Sequence, residues 1–209
     1  MGNTLAAPDR SAQVGGKFMR ITGGRAGGIP LKQPRGGDTR PATDRLREAV
    51  FSYLGGRVAG AVFLDLFAGT GAYGLEAWSR GAVDGVLVEK NRAALAVLRE
   101  NLRVVGRALG ADGGGPRVAA ADVRRWKPPP GLAGDLVFCD PPYEMIETLA
   151  PPVFHLAGTF LKPSGLLLFE MPGHLDLTAE GFAPLRRLGK GRHEPTCVIW
   201  EKTEPGTTG

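Results

Sequence analysis

Two short motifs in this 209-residue chain contain residue types that support chemistry. The first is DLFAGTGAYG over residues 65–74, a predicted strand end followed by a glycine loop, whose Gly69, Gly71 and Gly74 match the dinucleotide-binding pattern GxGxxG. Glycines let the chain turn sharply and let a ligand approach the backbone closely. Asp65 directly precedes the loop, where its charge would repel a pyrophosphate but attract an ammonium or a sulfonium group. The loop therefore favours S-adenosylmethionine over a dinucleotide, with an oxidoreductase as the alternative.

The next three predicted strands along the chain also finish at an acidic residue, namely Glu89, Asp122 and Asp140, so that four successive strands do so. Ligands of open α/β sheets bind beyond the carboxyl ends of the strands, so these carboxylates point to one shared site. Glu89 lies twenty positions after Gly69 and can accept hydrogen bonds from both ribose hydroxyl groups. Asp122 can accept one from the adenine amino group. The residues predicted to contact the methyl donor are Asp65, Phe67, Ala68, Gly69, Gly71, Glu89, Lys90 and Asp122.

The second motif is Asp140-Pro141-Pro142-Tyr143, which directly follows a predicted buried strand. The two prolines fix the backbone and remove two N–H donors, so the turn presents mainly acceptors, the Asp140 carboxylate and the Pro141 carbonyl group. A flipped nucleobase can stack on Tyr143 while its exocyclic amine donates both protons to these acceptors. Such hydrogen bonds localise the lone pair of a weakly nucleophilic amine. We predict that these four residues are the catalytic residues, with Asp140 as a possible proton acceptor.

The elements that must position these motifs alternate between buried strands and helices. This alternation predicts an α/β fold, a doubly wound and mostly parallel seven-stranded sheet of Rossmann-like type. The last two strands have no clear helix between them and predict an antiparallel edge. The predicted strands cover residues 62–66, 85–89, 117–121, 135–140, 165–170, 185–188 and 196–201.

Other elements are predicted before and after this alternating part. The glycine-rich turn 23–28 lies between two short extended segments and predicts a small N-terminal β-hairpin extension. A helix is expected from Thr43 or Asp44 onward, because either residue can cap it. Residues 145–161 are predicted to be helical, with the adjacent prolines 151 and 152 breaking or starting a helix there.

Charge and composition narrow the functional classes. The chain up to Arg57 contains 10 basic and 4 acidic residues, a net charge of +6 in a chain whose total is +5. This local excess favours a phosphate-bearing partner, the alternative being a solvated charged tail.

No apolar run approaches the roughly 20 residues of a membrane helix, so no membrane association is expected. Cys139 and Cys197 are the 2 cysteines. They form no zinc or disulfide pattern, so we expect no metal and a reducing cytoplasm.

The motifs together resemble class I S-adenosylmethionine-dependent methyltransferases, and more narrowly the RsmD-type family of 16S rRNA guanine-N2 methyltransferases. The most specific element is TRPATDRLRE, and the resemblance extends from about Met19 to Trp200. It implies methylation of a guanine N2 amine in 16S rRNA, within the small ribosomal subunit or an assembly intermediate, with S-adenosylhomocysteine as the second product. We expect a monomer. The matching segments are residues 19–24, 39–48, 65–81 and 140–143.

The resemblance implies that the basic N-terminal segment binds RNA. Two of its arginines, Arg45 and Arg47, lie on the predicted helix, where the alternative is an ion pair with Asp44 or Glu48. The residues predicted to contact rRNA phosphates are Arg20, Arg25, Arg35, Arg40, Arg45 and Arg47.

The predicted organisation is one catalytic domain with an extension and loose ends. We expect a disordered leader at residues 1–16, a basic hairpin and helix extension at 17–57, a methyltransferase domain at 58–203 and a flexible tail at 204–209. The main alternative function is a DNA adenine-N6 methyltransferase, although the chain has no room for a separate DNA-recognition domain. A methyltransferase for small-molecule or protein amines and a catalytically silent binding module are further alternatives.

Overall fold

The computed structural model describes residues 19–34, 41–111 and 113–203. The predicted leader at 1–16 and tail at 204–209 lie outside the described residues. The helices are α1 Pro41–Leu54, α2 Ala72–Ser79, α3 Arg92–Leu109 and α4 Ile146–Phe160. The strands are β1 Val62–Leu66, β2 Asp84–Glu89, β3 Arg117–Ala120, β4 Gly134–Cys139, β5 Leu161–Pro172, β6 Phe182–Leu188 and β7 Pro195–Lys202.

The strands form a seven-stranded sheet in the order β3-β2-β1-β4-β5-β7-β6. Strands β1 to β5 pair in parallel, and β7 is antiparallel to both β5 and β6. The chain leaves β1 toward β2 on one side, and β4 pairs with β1 on the other side. The predicted doubly wound, mostly parallel α/β sheet with an antiparallel edge is therefore confirmed.

The strand order brings the two sequence motifs together. In the parallel pairing of β1 with β4, Leu66 lies beside Cys139. The glycine loop follows Leu66 and the proline motif follows Cys139, so both motifs start at the same level of the sheet. The connections that follow β1 and β4 run to opposite sides of the sheet. A crevice therefore opens at the carboxyl ends of these two strands, which is where open α/β sheets bind ligands.

Apolar side chains cover both faces of the sheet. In β1, Phe63 packs with α1, α2 and α3 on one face, whereas Leu64 and Leu66 pack with α4 on the other face. Burying one such side chain contributes about 1.5–3 kcal/mol relative to leaving it exposed. Cys139 and Cys197 are free thiols buried on opposite faces of this core.

The predicted N-terminal hairpin is present as one antiparallel bridge between Arg20 and Pro30, outside the seven-stranded sheet. It packs against α2, where Ser79 Oγ donates to the carbonyl group of Gly23 at 2.6 Å. Gly24 has a φ of +76°, and a Cβ atom there would lie 2.1 Å from the carbonyl oxygen of Ser79. Only glycine allows this approach, because a side chain would collide with the helix backbone.

Two helix predictions need correction. α1 begins at Pro41, two residues before Thr43, because proline is well suited to the first helical position. α4 is one continuous helix with Pro151 and Pro152 inside it, not a helix broken or started there. The residues whose carbonyl groups lose a donor to these prolines, Glu147 and Thr148, are exposed, so water can satisfy them. No helix in the described part of the chain is long and apolar enough to span a membrane.

Candidate active site

The two motifs line one cavity of about 520 Å³ at the carboxyl ends of β1, β4 and β5. We call it the acidic cleft, because Asp65, Asp140 and Glu170 all contribute to its wall. The N-terminal extension also contributes Met19 and Gln33. Its lining residues are Met19, Gln33, Arg47, Asp65, Phe67, Ala68, Gly69, Thr70, Ala72, Tyr73, Asp140, Pro141, Pro142, Tyr143, Glu144, Glu170 and Pro195.

A second cavity of about 410 Å³ lies beside the acidic cleft, over the end of β2. Phe67 and the segment 140–142 belong to the walls of both cavities, so the two are neighbours. We call the second one the β2 cavity. Its lining residues are Phe67, Val88, Glu89, Lys90, Asn91, Ala121, Val123, Asp140, Pro141 and Pro142.

The glycine loop turns through left-handed backbone conformations. Gly69 and Gly71 have φ values of +55° and +87°, and the non-glycine residue Phe67 has a φ of +62°. A Cβ atom at Gly71 would lie 2.5 Å from Leu98 Cδ1, so this position has no room for a side chain. A left-handed non-glycine residue is strained, and such strain persists mainly where the surrounding structure or function requires it.

Asp65 is buried beneath this loop, with 2% of its surface exposed. Its Oδ2 accepts a hydrogen bond from the backbone N–H of Gly74 at 2.8 Å. Burial raises the pKa of Asp65 to about 8, and the nearby charges of Asp140 and Glu89 add to the shift. A cation bound in the cleft would oppose this shift, because an opposite charge favours the ionised carboxylate.

Glu89 holds the backbone at the junction of the two cavities. Its Oε2 accepts from the N–H of Gly69 at 2.8 Å, and its Oε1 accepts from the N–H groups of Lys90 and Asn91 at 2.8 and 2.7 Å. This carboxylate is therefore fixed before any ligand arrives. That arrangement suits an acceptor for ligand hydroxyl groups, since little ordering remains to be done on binding.

Asp122 is not among the residues that line the β2 cavity, although its chain neighbours Ala121 and Val123 are. Its Oδ1 accepts from Arg124 Nε at 3.0 Å, and its Oδ2 lies 3.4 Å from Lys90 Nζ. The hydrogen bonds from Arg124 hold the pKa of Asp122 well below its ordinary range. The carboxylate predicted to meet an adenine amino group is thus already paired with two cations.

The proline motif starts beside β1. The backbone N–H of Asp140 donates to the carbonyl group of Leu66 at 3.4 Å, and Pro142 accepts from the N–H of Met145 at 3.0 Å. Asp140 is exposed to the open cleft, whereas Pro141 is buried and Tyr143 is half-buried. Desolvation by the cleft walls raises the pKa of Asp140, although solvent in the open cleft screens part of this effect.

Tyr73 and Glu170 are among the cleft residues that are absent from the predicted site. The hydroxyl group of Tyr73 donates a hydrogen bond to Glu170 Oε1, and both side chains are buried. Burial, and then the charge of Asp140, raise the pKa of Glu170 well above its ordinary value, and the hydrogen bond from Tyr73 and the Arg47 guanidinium offset only part of this shift. Glu170 carries the same signal as the predicted acids, since it ends the predicted strand 165–170.

Comparison with known proteins settles the family. A family model described as "Conserved hypothetical protein 95" matches residues 19–196. The chain belongs to this family. The match covers both motifs and the hairpin, and the predicted membership of the RsmD-type methyltransferase family is confirmed.

Relatives of this Conserved hypothetical protein 95 family member include "Ribosomal RNA small subunit methyltransferase D" of Escherichia coli K12. It is 38% identical over 125 residues, which are 60% of this chain and 60% of that protein. The alignment thus spans less than two thirds of that curated relative. The protein of the same name from Haemophilus influenzae is 29% identical over 154 residues, covering 73% of this chain and 78% of that one.

Solved structures confirm the fold. The structure of yhhF from Escherichia coli is 30% identical with a TM-score of 0.73, and the match covers 89% of this chain and 98% of that one. A hypothetical protein of Thermus thermophilus is 32% identical with a TM-score of 0.66, covering 86% and 97%. The predicted Rossmann-like fold of class I methyltransferases is therefore confirmed for this member of the Conserved hypothetical protein 95 family.

The arginines predicted to contact rRNA phosphates differ from one another in exposure and in hydrogen-bond partners. Arg20, Arg25 and Arg45 are exposed, and Arg25 Nη2 donates to the carbonyl group of Leu109 at 3.0 Å. Arg35 and Arg40 lie outside the described residues.

Arg47 departs from the expectation that it contacts rRNA phosphates. Its side chain is 2% exposed, Nη2 donates to the carbonyl group of Arg20 at 2.8 Å, and Nε lies 3.7 Å from Glu76 Oε2. Burial between these partners removes it from any phosphate-facing surface and makes it part of the cleft wall. Among the described residues, no group of three or more His, Cys, Asp or Glu side chains could hold a metal ion.

Proposed function

We propose that this protein is an S-adenosylmethionine-dependent methyltransferase that modifies the N2 amine of a guanine in 16S rRNA. The observation that supports this most is that a buried carboxylate beneath the glycine loop, Asp65, and the Asp140 motif line the same cleft. The first would face the cationic part of a methyl donor, and the second would face an amine. The relatives named small subunit methyltransferase D support rRNA as the substrate.

The residues present fit S-adenosylmethionine in charge and in shape. Asp65 is a buried acceptor for a cationic group, and the open backbone at Gly69 leaves room above the loop. The neighbouring β2 cavity has the fixed Glu89 carboxylate for ribose hydroxyl groups, and Val88 and Val123 as apolar walls for a planar base. When bound, S-adenosylmethionine supplies an electrophilic methyl group.

The proline motif supplies the positioning of the target amine. Asp140 and the Pro141 carbonyl group would accept the two amine protons, which favours a pyramidal nitrogen with a localised lone pair. Holding that nitrogen in line with the methyl group lowers the barrier through orientation. The amine must lose one proton as the new N–C bond forms, and the raised pKa of Asp140 suits it to accept that proton.

The exposed arginines of the N-terminal extension are proposed to bind rRNA. Arg25 lies beside the last residues of α2 and α3, whereas Arg20 lies close to the acidic cleft, because the neighbouring Met19 lines the cleft. A phosphate backbone held there would lie beside a flipped base. We further propose that the substrate is the small ribosomal subunit or an assembly intermediate, that the protein acts as a monomer, and that it works in the cytoplasm.

One experiment tests this function. Small subunits from a strain that lacks this protein are incubated with the purified protein and methyl-labelled S-adenosylmethionine, and the rRNA is digested to nucleosides. We expect label in N2-methylguanosine. Label in N6-methyladenosine would replace guanine by adenine in the proposal, and no transfer to subunits or to naked rRNA would refute it.

A further inference from the structure

Glu170 lies at the level of Asp140 in the sheet. In the parallel pairing of β4 with β5, Cys139 lies beside Phe169, so the next residues, Asp140 and Glu170, are also neighbours. Glu170 is 3% exposed and lines the acidic cleft. The proposed function has no use for this second carboxylate, although burying it beside another acid costs stability.

Only one oxygen of Glu170 is engaged by the described residues. Oε1 accepts from the hydroxyl group of Tyr73, whereas Oε2 accepts no hydrogen bond from them and is not enclosed. Since the side chain lines the cleft, this second oxygen is available to a ligand there. Burial raises the pKa of Glu170 well above its ordinary value, and an N–H donor that faces the available oxygen would favour the ionised form, in which this oxygen is an acceptor.

A donor in the cleft wall lacks a hydrogen-bond partner. Gln33 Nε2 is buried and has no hydrogen-bond partner among the described residues. Leaving a buried donor unsatisfied is unfavourable. Such an arrangement is expected where a ligand supplies the missing acceptor.

This set of groups matches one nucleobase edge. Guanine presents three adjacent groups, the N2 amine and N1–H as donors and O6 as an acceptor. If Asp140 takes the N2 amine, the next group is N1–H, which needs an acceptor, and then O6, which needs a donor. Adenine presents an unprotonated N1 beside its amine, and an acceptor opposite that atom is repulsive.

We propose that Glu170 accepts a hydrogen bond from N1–H of the target guanine and so excludes adenine, while Gln33 donates to O6. Glu170 is then the residue that determines base specificity. This inference rests on the proposed function and adds to it the group that selects the base. Tyr73 acts as a positioning residue, because its hydrogen bond directs the other oxygen of Glu170 toward the cleft.

The Glu170→Gln variant tests the inference with a nearly isosteric change. Tyr73 would donate to the remaining amide oxygen, which turns the NH₂ group toward the cleft and sets a donor against N1–H of guanine. We expect kcat/KM on small subunits to fall by about 100-fold or more. The affinity for S-adenosylhomocysteine, measured by calorimetry, should change by less than about twofold. The exposed Glu180→Gln serves as the control and should retain wild-type kcat/KM.

A second measurement separates base reading from a general structural defect. Once the methylated guanine has been located, subunits are reconstituted with 2-aminopurine at that position, which keeps the N2 amine but lacks N1–H and O6. Wild-type protein should methylate guanine at least about 100-fold more efficiently than 2-aminopurine. In Glu170→Gln this preference should fall to within about tenfold. Both substrates are compared with the same protein sample, so a general loss of activity would leave the ratio of the two efficiencies unchanged.

The outcomes distinguish this inference from the proposed function. If wild-type protein methylates guanine and Glu170→Gln keeps both its activity and its preference, the role of Glu170 is refuted and the proposed function stands. If the wild-type preference for guanine over 2-aminopurine is itself absent, N1–H is not read and the inference also fails. If wild-type protein transfers no methyl group to guanine, the proposed function fails and the inference fails with it.

Discussion

The backbone N–H of Asp140 donates to the carbonyl group of Leu66 at 3.4 Å, so the proline motif and the glycine loop leave the sheet side by side. This contact links the ends of β4 and β1 and continues their parallel pairing by one residue. Asp65, which pairs with Phe138, therefore lies two residues below the level at which the proline motif starts. A ligand on the loop and an amine at Asp140 would meet in a single cleft.

Replacement of Asp140 by alanine should nearly abolish methyl transfer and leave cofactor binding in place. The change removes an amine-orienting acceptor, which is expected to lower kcat by about 10²–10⁴-fold. S-adenosylhomocysteine affinity, measured by calorimetry, should change only severalfold, because Asp65 and Glu89 remain. Asp176→Ala is the control, since Asp176 is a surface residue paired with Arg187. Near-normal turnover in Asp140→Ala would contradict the role of this carboxylate.

Binding of S-adenosylmethionine should release a proton near neutral pH. Burial raises the pKa of Asp65 to about 8, so the free protein holds this carboxyl largely protonated at pH 7. A bound cation favours the ionised form, and affinity should therefore rise with pH up to about 8 and then level off. Calorimetry in buffers of different ionisation enthalpy measures the proton count, which we expect to approach one.

The Asp65→Asn variant is the matched control for this linkage. Asparagine keeps an acceptor for the N–H of Gly74 but cannot ionise, so the proton release should disappear and affinity should fall by about 10-fold or more. A wild-type dissociation constant that does not change between pH 6 and pH 8 would show that Asp65 is not coupled to the cation.

Exposed arginines of the extension should control RNA affinity through charge. Arg20→Ala and Arg45→Ala remove exposed cations, and each should lower the slope of log affinity against log salt by about one if it binds a phosphate. Filter binding or fluorescence anisotropy with 16S rRNA at several salt concentrations measures this slope. Arg99→Ala, an exposed arginine on α3, should leave it unchanged. An unaltered slope in both test variants would place the RNA surface elsewhere.

The sequence predicts the fold and the two motifs well because their signals are local. Each buried strand is a short apolar run, and Asp65 and Asp140 stand directly at strand ends where a parallel sheet places its ligands. Glu170 carries the same signal, but its relevance depends on β5 lying next to β4, and strand order is set by packing across the whole sheet. The cleft position of Gln33 likewise depends on how the extension packs.

The burial of Arg47 could not be predicted from α1 alone. A charged side chain among apolar helix positions is usually exposed, because burial without a partner is costly. One partner is Asp44 on the same helix, whose Oδ1 lies 3.2 Å from Arg47 Nη2. The other is Glu76, which belongs to another helix and has none of its surface exposed. The ion pair with Asp44 is the alternative to phosphate binding that the sequence left open, whereas only the tertiary structure shows that Arg47 meets Glu76 and is buried.

The buried carboxylate of Glu76 should be needed to hold the N-terminal extension on the catalytic part of the chain. It accepts from the N–H and the hydroxyl group of Thr22, both at 2.7 Å, and from Arg80 Nε at 2.8 Å. Glu76→Ala leaves these donors and the nearby Arg47 without their acceptor, so the free energy of unfolding should fall by about 2–4 kcal/mol in urea titrations. Hydrogen exchange should become faster in residues 19–31 and less so in α4, because the hairpin loses its contact with α2 first.

The exposed Glu147→Ala is the control for Glu76→Ala and should change the free energy of unfolding by less than about 0.5 kcal/mol. Equal stability of Glu76→Ala and wild type, with a protected hairpin, would show that the apolar contacts of Ile21 and Leu31 are sufficient to hold the extension.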